Sequence, residues 1–225
     1  MEEVFVSWSG GKDSCWAGYL AGRSGLNVRY LVNMVNEDGS RSWIHALRPE
    51  LVEIQSQAAS IPLIQGHSSM DTYEVDFRNT MISLKQEGVT GGVFGDIDLE
   101  ENREWVSRQC REAGITPYFP LWGQSQEMVL REFIAAGFEA IVVVAEADRL
   151  GKEWLGRKLD AGLLSELLRL EETHGVRPSG EAGEYHTFVI DGPLFERRIE
   201  VVESEPVFRK GYWFLDMLRA ELKAR

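Results

Sequence analysis

Apolar and polar positions along the chain follow two rhythms. Short apolar runs of strand type are separated by longer segments whose apolar residues recur three and four apart. "VFVSW" (Val4 to Trp8) predicts a short buried strand and residues 13–24 a helix. "VRYLVNM" (Val28 to Met34) predicts a second strand. "WIHALRPELVEIQSQAASI" places Ala46, Leu47, Leu51, Ile54 and Ala58 at helical spacing, with His45 at the opening of that segment. "IPLIQ" predicts a strand, and "YEVDFRNTMISLKQEG" a helix ended by Gly88. "GGVFGDI" predicts a strand running into a turn, and "LEENREWVSRQCREAG" a helix closed by Gly114. "TPYFPLW" reads as extended, its prolines limiting sheet pairing. This β-α-β-α order predicts a parallel sheet flanked by helices.

The rhythm changes near Leu121. "SQEMVLREFIAAG" predicts a helix, "EAIVVVAEA" a strand, and "LDAGLLSELLRLEETHG" a further helix. A polar turn, "VRPSGEAGEYHTFVIDGP", leads into "RRIEVVESEPVF", and a closing amphipathic helix is expected from about Trp213. The change divides the chain into residues 1–121 and residues 122–225. No repeat and no low-complexity linker separates the two parts, so close packing between them is expected.

Composition narrows the function. The 225 residues fit one large domain or two small ones. The net charge of −12 disfavours a broad nucleic-acid surface, because neutralising phosphates requires an excess of Lys and Arg. No apolar run reaches the ~18 residues of a membrane span, and the N-terminus lacks the pattern of a secretory signal. Cys15 and Cys110 form no framework and read as reduced thiols, which predicts a cytoplasmic protein.

The densest chemistry is "SGGKDS", Ser9 to Ser14, between the first strand and the first helix. Gly10 and Gly11 let the backbone turn tightly and approach a ligand. The helix that begins there offers free N–H groups and a positive dipole end to an anion. Ser9 and Ser14 add hydroxyl donors, and Lys12 adds a charge for a phosphate. Asp13 suits Mg²⁺ or a helix cap. The spacing is not that of G-x-x-x-x-G-K-S/T, so this is not the loop of the common ATPases and GTPases. A plain Gly-rich turn capped by Asp13 is the bland reading; all six residues together after a strand favour phosphate.

"SGGKDS" after an N-terminal strand resembles the pyrophosphate loop of the ATP pyrophosphatases. "SGEAGEYHTFVIDGPLF" (Ser179 to Phe195) resembles the C-terminal signature of the diphthine–ammonia ligase family, G-E-G-G-E-Y-E-T-F followed by an aspartate and P-L-F. "GVFGDI", "PYFPLW", "LREFIAAG", "LGRKLD" and a histidine at position 45 agree in order and spacing, so the resemblance runs from Val4 to about Val202. It implies a Rossmann-like (HUP-type) α/β fold. Residues 1–121 would be the ATP-binding domain, and 122–225 a smaller α+β subdomain for the substrate. It also implies a reaction: ATP adenylates the carboxylate of diphthine on translation elongation factor 2, and ammonium supplies the nitrogen that displaces AMP.

Residue by residue, the resemblance assigns ATP binding to Ser9, Gly10, Gly11, Lys12, Asp13, Ser14, Met34 and His45. Catalysis falls to Lys12, Asp13, Glu181 and Glu184. Mg²⁺ falls to Asp13, and substrate binding to Asp96, Glu181, Gly183, Glu184, Tyr185 and His186. Each has a plainer alternative. Glu181 and Glu184 could be solvated turn residues, Asp96 a helix cap, His45 structural, and Met34 core filling. Lys158 and Asp160 could face the cleft between the two parts, with surface charge as the plainer reading, and Cys15 reads as a small buried residue. Two positions depart from the family pattern, Ala182 for a glycine and His186 for a glutamate. Both lie where the acyl acceptor is expected, so they bear on the substrate more than on the ATP chemistry. A ligase for another carboxylate and a non-catalytic adenine-nucleotide sensor stay open beside the amide ligase, as does a homodimer.

Overall fold

Val4, Phe5 and Val6 are all fully buried, so the first strand is covered on both faces. In the computed structural model, which describes residues 1–43 and 45–225, it forms β1 (Glu3–Ser7) at the centre of a five-stranded sheet. The chain continues through α1 (Lys12–Arg23), β2 (Asn27–Asn36), α2 (Pro49–Ala59), β3 (Leu63–Ser68) and α3 (Tyr73–Gln86). It then returns across β1 as β4 (Gly91–Val93), α4 (Glu100–Ala113) and β5 (Thr116–Tyr118). The strand order is β3-β2-β1-β4-β5 and every pairing is parallel. The order reverses between β1 and β4, and the crevice at the carboxyl ends of strands beside such a reversal is where open α/β sheets bind ligands.

Alternation along β1 divides the core. Val4 and Val6 point to the side holding Ala17, Ala21, Leu51 and Val52 of α1 and α2. Phe5 points to the other side, with Phe77, Met81 and Leu84 of α3 and Val106 and Cys110 of α4. The first of these clusters continues without a break into the second half of the chain. It takes in Val129, Leu130 and Phe133 of α5 (Gln126–Ala135) and Leu163, Leu164 and Leu167 of α6 (Ala161–His174). It also takes in the strands β6 (Glu139–Glu146), β7 (Tyr185–Asp191), β8 (Arg197–Arg209) and β9 (Tyr212–Ala224). These form an antiparallel sheet of order β7-β6-β9-β8. The architecture is therefore a Rossmann-like parallel sheet flanked by helices, followed by a smaller α+β part. No helix among the described residues is long and apolar enough to cross a membrane.

Three sequence expectations are corrected. The closing helix expected from about Trp213 is a strand, β9, paired with β8 from Arg209↔Tyr212 to Arg197↔Ala224. Leu, Met, Ala, Glu and Lys favour a helix there, but Lys210 (φ 48°) and Gly211 (φ 85°) both adopt positive φ and turn the chain back on β8. Two such residues make the tight hairpin turn whose twist matches the flanking strands. The helix expected from "WIHALRPELV" begins only at Pro49, because proline fixes its own φ and holds Arg48 extended. His45 therefore sits in the preceding turn, and Ile44 lies outside the described residues. Finally, the polar turn expected across 176–193 ends early, because Tyr185–Asp191 is a strand. Asp160, one of the loosely held cleft residues, caps α6 by accepting from the Leu163 N–H at 2.8 Å. Lys158 pairs with Glu139 on the surface.

The β8–β9 hairpin is tied to the parallel sheet through Asp216, which is 8% exposed. Its carboxylate accepts from Arg41 at 2.8 and 2.9 Å and from Arg48 at 3.0 and 2.9 Å. The Arg41 hydrogen bonds, opposed by partial burial and reinforced by Arg48, hold the Asp216 carboxyl well below the usual range. A carboxyl lowered in the folded chain adds stability that is present above the unfolded pKa and lost as pH falls through the folded one. Asp216→Asn should therefore cost about 1–2 kcal/mol at neutral pH, since both arginines stay partly solvated. In urea titrations the gap from the parent should close as the pH drops below about 4.

Candidate active site

The turn between β1 and α1 is built from contacts that leave no room for side chains. Gly10 has φ 85°, and a Cβ on it would lie 2.9 Å from Gln55 Oε1. A Cβ on Gly11 would lie 2.7 Å from His45 Nε2 and 3.1 Å from the Thr187 carbonyl. The Gly10 carbonyl accepts from the Val189 N–H at 3.0 Å and from Gln55 Nε2 at 2.9 Å. The Lys12 N–H donates to Thr187 Oγ1 at 3.0 Å. Ser9 and Ser14 hydroxyls meet at 3.0 Å, and the Ser14 hydroxyl donates to the Gly11 carbonyl at 3.1 Å. β7 of the second sheet and α2 thus hold the loop from behind. The front opens on a cavity of about 760 Å³.

That cavity gathers most of the residues the sequence singled out. Ser9, Lys12, Asp13 and Ser14 line it from the loop, and Asp96 from the segment after β4. Glu181, Tyr185 and His186 line it from the C-terminal block, and His45 from the turn before α2. The Lys12 ammonium lies 5.1 Å from the centre of the Tyr185 ring and donates to Asp13 Oδ2 at 2.8 Å and to the Ser179 carbonyl. Burial opposes its charge, but Asp13, Tyr185 and Glu181 outweigh burial and hold the lysine above its ordinary range, so it stays cationic. The other oxygen of Asp13, Oδ1, is buried without a partner.

Asp96 does not cap the following helix. The residue at the N-cap of α4 is Leu99, and no side chain caps it. Gly95 brings this segment against α1 so closely that a Cβ would lie 2.7 Å from the Asp13 carbonyl carbon. Burial, with the Asp13 charge adding to it, pushes the Asp96 carboxyl up to about 6. Burial first and then Asp13 push Glu181 up to about 7, although the Ile97 N–H donates to it at 3.2 Å. Burial and the nearby Lys12 charge lower His186 to about 4. Burial and His186 push His45 well down, so the two imidazoles, 4.5 Å apart between centres, face each other neutral.

Five expected residues do not line the cavity: Gly10 and Gly11 are packed against Gln55, Leu47, His45 and Thr187 behind the loop, and three more stand elsewhere. Glu184 is buried behind the cavity, and its oxygens accept from the backbone N–H of Arg177 (2.8 Å) and Ala182 (3.1 Å), so it shapes the turn rather than facing a ligand. Gly183 turns the chain at φ 90° and does not line the cavity. Met34 packs against Gly66, and its carbonyl accepts from the Trp43 N–H at 3.1 Å, which is the core-filling alternative. Cys15 and Cys110 are buried, and burial raises both thiols, so neither is poised to react. Sequence reasoning missed Trp43, Tyr73, Glu74, Phe77, Phe94 and Trp105, which line the far side of the cavity. Their helical spacing at 73 and 77 reads as core.

A family model described as the diphthamide synthase N-terminal domain matches residues 2–117, and one described as its C-terminal domain matches residues 125–222. The chain belongs to the diphthamide synthase family. Human diphthine–ammonia ligase is 31% identical over 226 residues, covering 90% of this chain and 84% of that protein. The Bos taurus ligase is 32% identical over 222 residues, covering 88% and 82%. The Schizosaccharomyces pombe ligase is 27% identical over 218 residues, covering 88% of this chain but 36% of its own. A solved structure from Methanocaldococcus jannaschii, titled as a predicted subunit of tRNA methyltransferase, shares 14% identity. It covers 85% of this chain and 98% of its own at a TM-score of 0.47, too loose a likeness to bear on function.

In this diphthamide synthase family member the raised carboxyls make a sharp expectation. A carboxyl whose pKa is raised on folding adds stability that is full below its unfolded pKa and is lost as pH rises through the folded value. Glu181→Gln removes the charge that burial penalises. The variant should melt above the parent at pH 8, and the advantage should vanish by about pH 4.5, below the titration of Glu181 near 7. Thermal melts across that range check it.

Proposed function

We propose that this chain is an ATP-dependent amide ligase that converts diphthine on translation elongation factor 2 to its amide with ammonium, releasing AMP and pyrophosphate. The observation that carries this reading is the meeting, across one cavity, of the Lys12–Asp13 loop and the Glu181–His186 segment from the other half of the chain. The division of labour follows: the loop of residues 1–121 holds the nucleotide phosphates, and the Glu181–His186 segment of residues 122–225 meets the acceptor's carboxylate there. The family supports ATP as the activating substrate. The protein factor, free ammonium and a cytoplasmic setting extend the reading, and the two buried thiols suit a reducing compartment.

The chemistry requires activation because a carboxylate and ammonium form only a salt. In the first step a carboxylate oxygen of the acceptor attacks the α-phosphorus, and pyrophosphate leaves. In the second, ammonia attacks the acyl carbon, AMP leaves, and the nitrogen sheds a proton. Lys12, held cationic at the start of α1, stabilises charge gathering on phosphate oxygens. Glu181, titrating near 7, is matched to accept the proton from nitrogen. Neutral His45 and His186 leave that region without a further positive charge to repel ammonium.

Mg²⁺ fits the oxygens present. Among the described residues no three His, Cys, Asp or Glu side chains gather closely enough to hold a metal alone. Mg²⁺ usually takes one or two carboxylates together with phosphates and water, and Asp13 Oδ1 is a buried carboxylate oxygen without a partner. Asp13 would hold the ion, with Asp96 beside it, and the ion would neutralise phosphate charge. Glu184, with Gly183, acts by shaping the turn that carries Glu181 and Tyr185.

The test is an end-point assay with ATP, Mg²⁺, ammonium and diphthine-bearing elongation factor 2. AMP should form only when the factor and ammonium are both present, with the product peptide lighter by the exchange of hydroxyl for amine. Lys12→Ala should lower that rate by at least about a hundredfold. AMP formation by Lys12→Ala at the parental rate would move the reaction centre elsewhere. ATP binding without AMP under every condition would favour the nucleotide sensor.

A further inference from the structure

The cavity has a second wall that the adenylation chemistry does not use. Trp43, Tyr73, Phe77, Phe94 and Trp105 line it, contributed by the β2–α2 turn, α3, the end of β4 and α4. Tyr73, Phe77 and Trp105 form one cluster, with centres 6.2, 6.0 and 5.8 Å apart. Trp43 stands across Tyr73 at 77° and 5.8 Å. Both indoles are pinned by their N–H groups. Trp43 donates to the Val35 carbonyl (3.1 Å) and Ser68 Oγ (2.8 Å), and Trp105 donates to Glu74 Oε2 (3.2 Å). These hydrogen bonds fix the orientation of both ring faces. Here Trp43, Tyr73 and Trp105 remain partly exposed on a cavity wall.

The charge of the lining has a sign. Asp13, Glu74, Asp96 and Glu181 line the cavity. Lys12 pairs with Asp13 at 2.8 Å and Arg108 with Glu74 at 3.1 Å. Asp96 and Glu181, both with raised pKa values, are thus left without an ion-pair partner among the described residues, and both histidines are held neutral. Aromatic faces beside carboxyls that still lack a cationic partner suit a cation too large and too greasy for a carboxylate pocket, namely a quaternary ammonium. We propose that Trp43, Tyr73 and Trp105, backed by Phe77, form a cage for a trimethylammonium group on the acyl acceptor. Glu74 acts as a positioning residue for the Trp105 ring. The inference rests on the proposed function, because diphthine carries a trimethylammonium group beside the carboxylate to be activated. The cage would place the cation at one end of the cavity and leave the carboxylate to the Lys12–Asp13 end. It also gives the enzyme a means to distinguish the methylated acceptor from its unmethylated amine, whose smaller, strongly hydrated cation gains less from aromatic faces.

The experiment pairs kinetics with a small probe. In Trp105→Leu and Tyr73→Leu, KM for the diphthine-bearing factor should rise about tenfold, while KM for ATP stays within about twofold. Trp105→Phe, which keeps an aromatic face, should recover most of the loss. In the unaltered protein, tetramethylammonium chloride should change the tryptophan fluorescence and compete with the factor, and uncharged tert-butanol should do neither. A rise in KM for ATP instead would mean that the rings stack the adenine base, and it would overturn the cage. So would equal effects of the charged and uncharged probes. Failure of the cage leaves factor-dependent AMP formation by the parent intact. Failure of the proposed function abolishes that formation altogether, so the two are told apart.

Discussion

The fully buried amide of Gln55 holds the candidate active site in shape. From α2 its Oε1 accepts from the Trp8 indole at 2.8 Å, and its Nε2 donates to the carbonyls of Gly10 and Val189, both at 2.9 Å. One side chain thus binds the end of β1, the glycine turn and the strand β7 from the other sheet. With both amide ends satisfied, a buried polar group of this kind fixes a unique arrangement instead of destabilising the core. The Gly10 carbonyl takes a second hydrogen bond, from Val189, and Thr187 takes the Lys12 N–H. The turn cannot move without the second sheet, and the second sheet carries Glu181 to His186.

This clamp explains why the two halves share one core. The cluster around Trp8, Leu51 and Val52 continues into Val142, Leu164 and Phe188, so the parallel and antiparallel sheets bury the same apolar surface. The Asp216 pairs with Arg41 and Arg48 fasten the far hairpin to the turn that carries His45. Desolvation then concentrates at the cavity. Asp96 and Glu181 sit buried beside Asp13 with raised pKa values, the desolvation cost that the candidate site carries.

Much of this was legible along the chain. The β-α-β-α order, the loop after β1 and the block from Ser179 point to one another, because tight turns and helix starts leave local marks in glycine, serine and capping residues. Pro49, which starts α2 and leaves His45 in a turn, was also legible, and a helical reading from Trp43 overlooks it. Gly211 likewise marks the hairpin that replaces the expected closing helix. The role of Glu184 was not legible. Its carboxylate resembles that of Glu181 in the sequence, and only the fold shows that backbone N–H groups of its own turn occupy it.

The sequence by itself determined the kind of loop, the parallel order of the first half and the family, since each depends on residues near one another or on ordered motifs. Tertiary structure alone decided which carboxylates face the cavity and which serve the backbone. It also decided that β9 is a strand, and that aromatic residues 43, 73 and 105 form a wall rather than more core. The reason is one of distance. Propensity and spacing act over a few residues, whereas burial, cross-strand pairing and the contacts of Glu181 with Ile97 and Asp13, some eighty residues and more away, exist only once the chain has closed on itself.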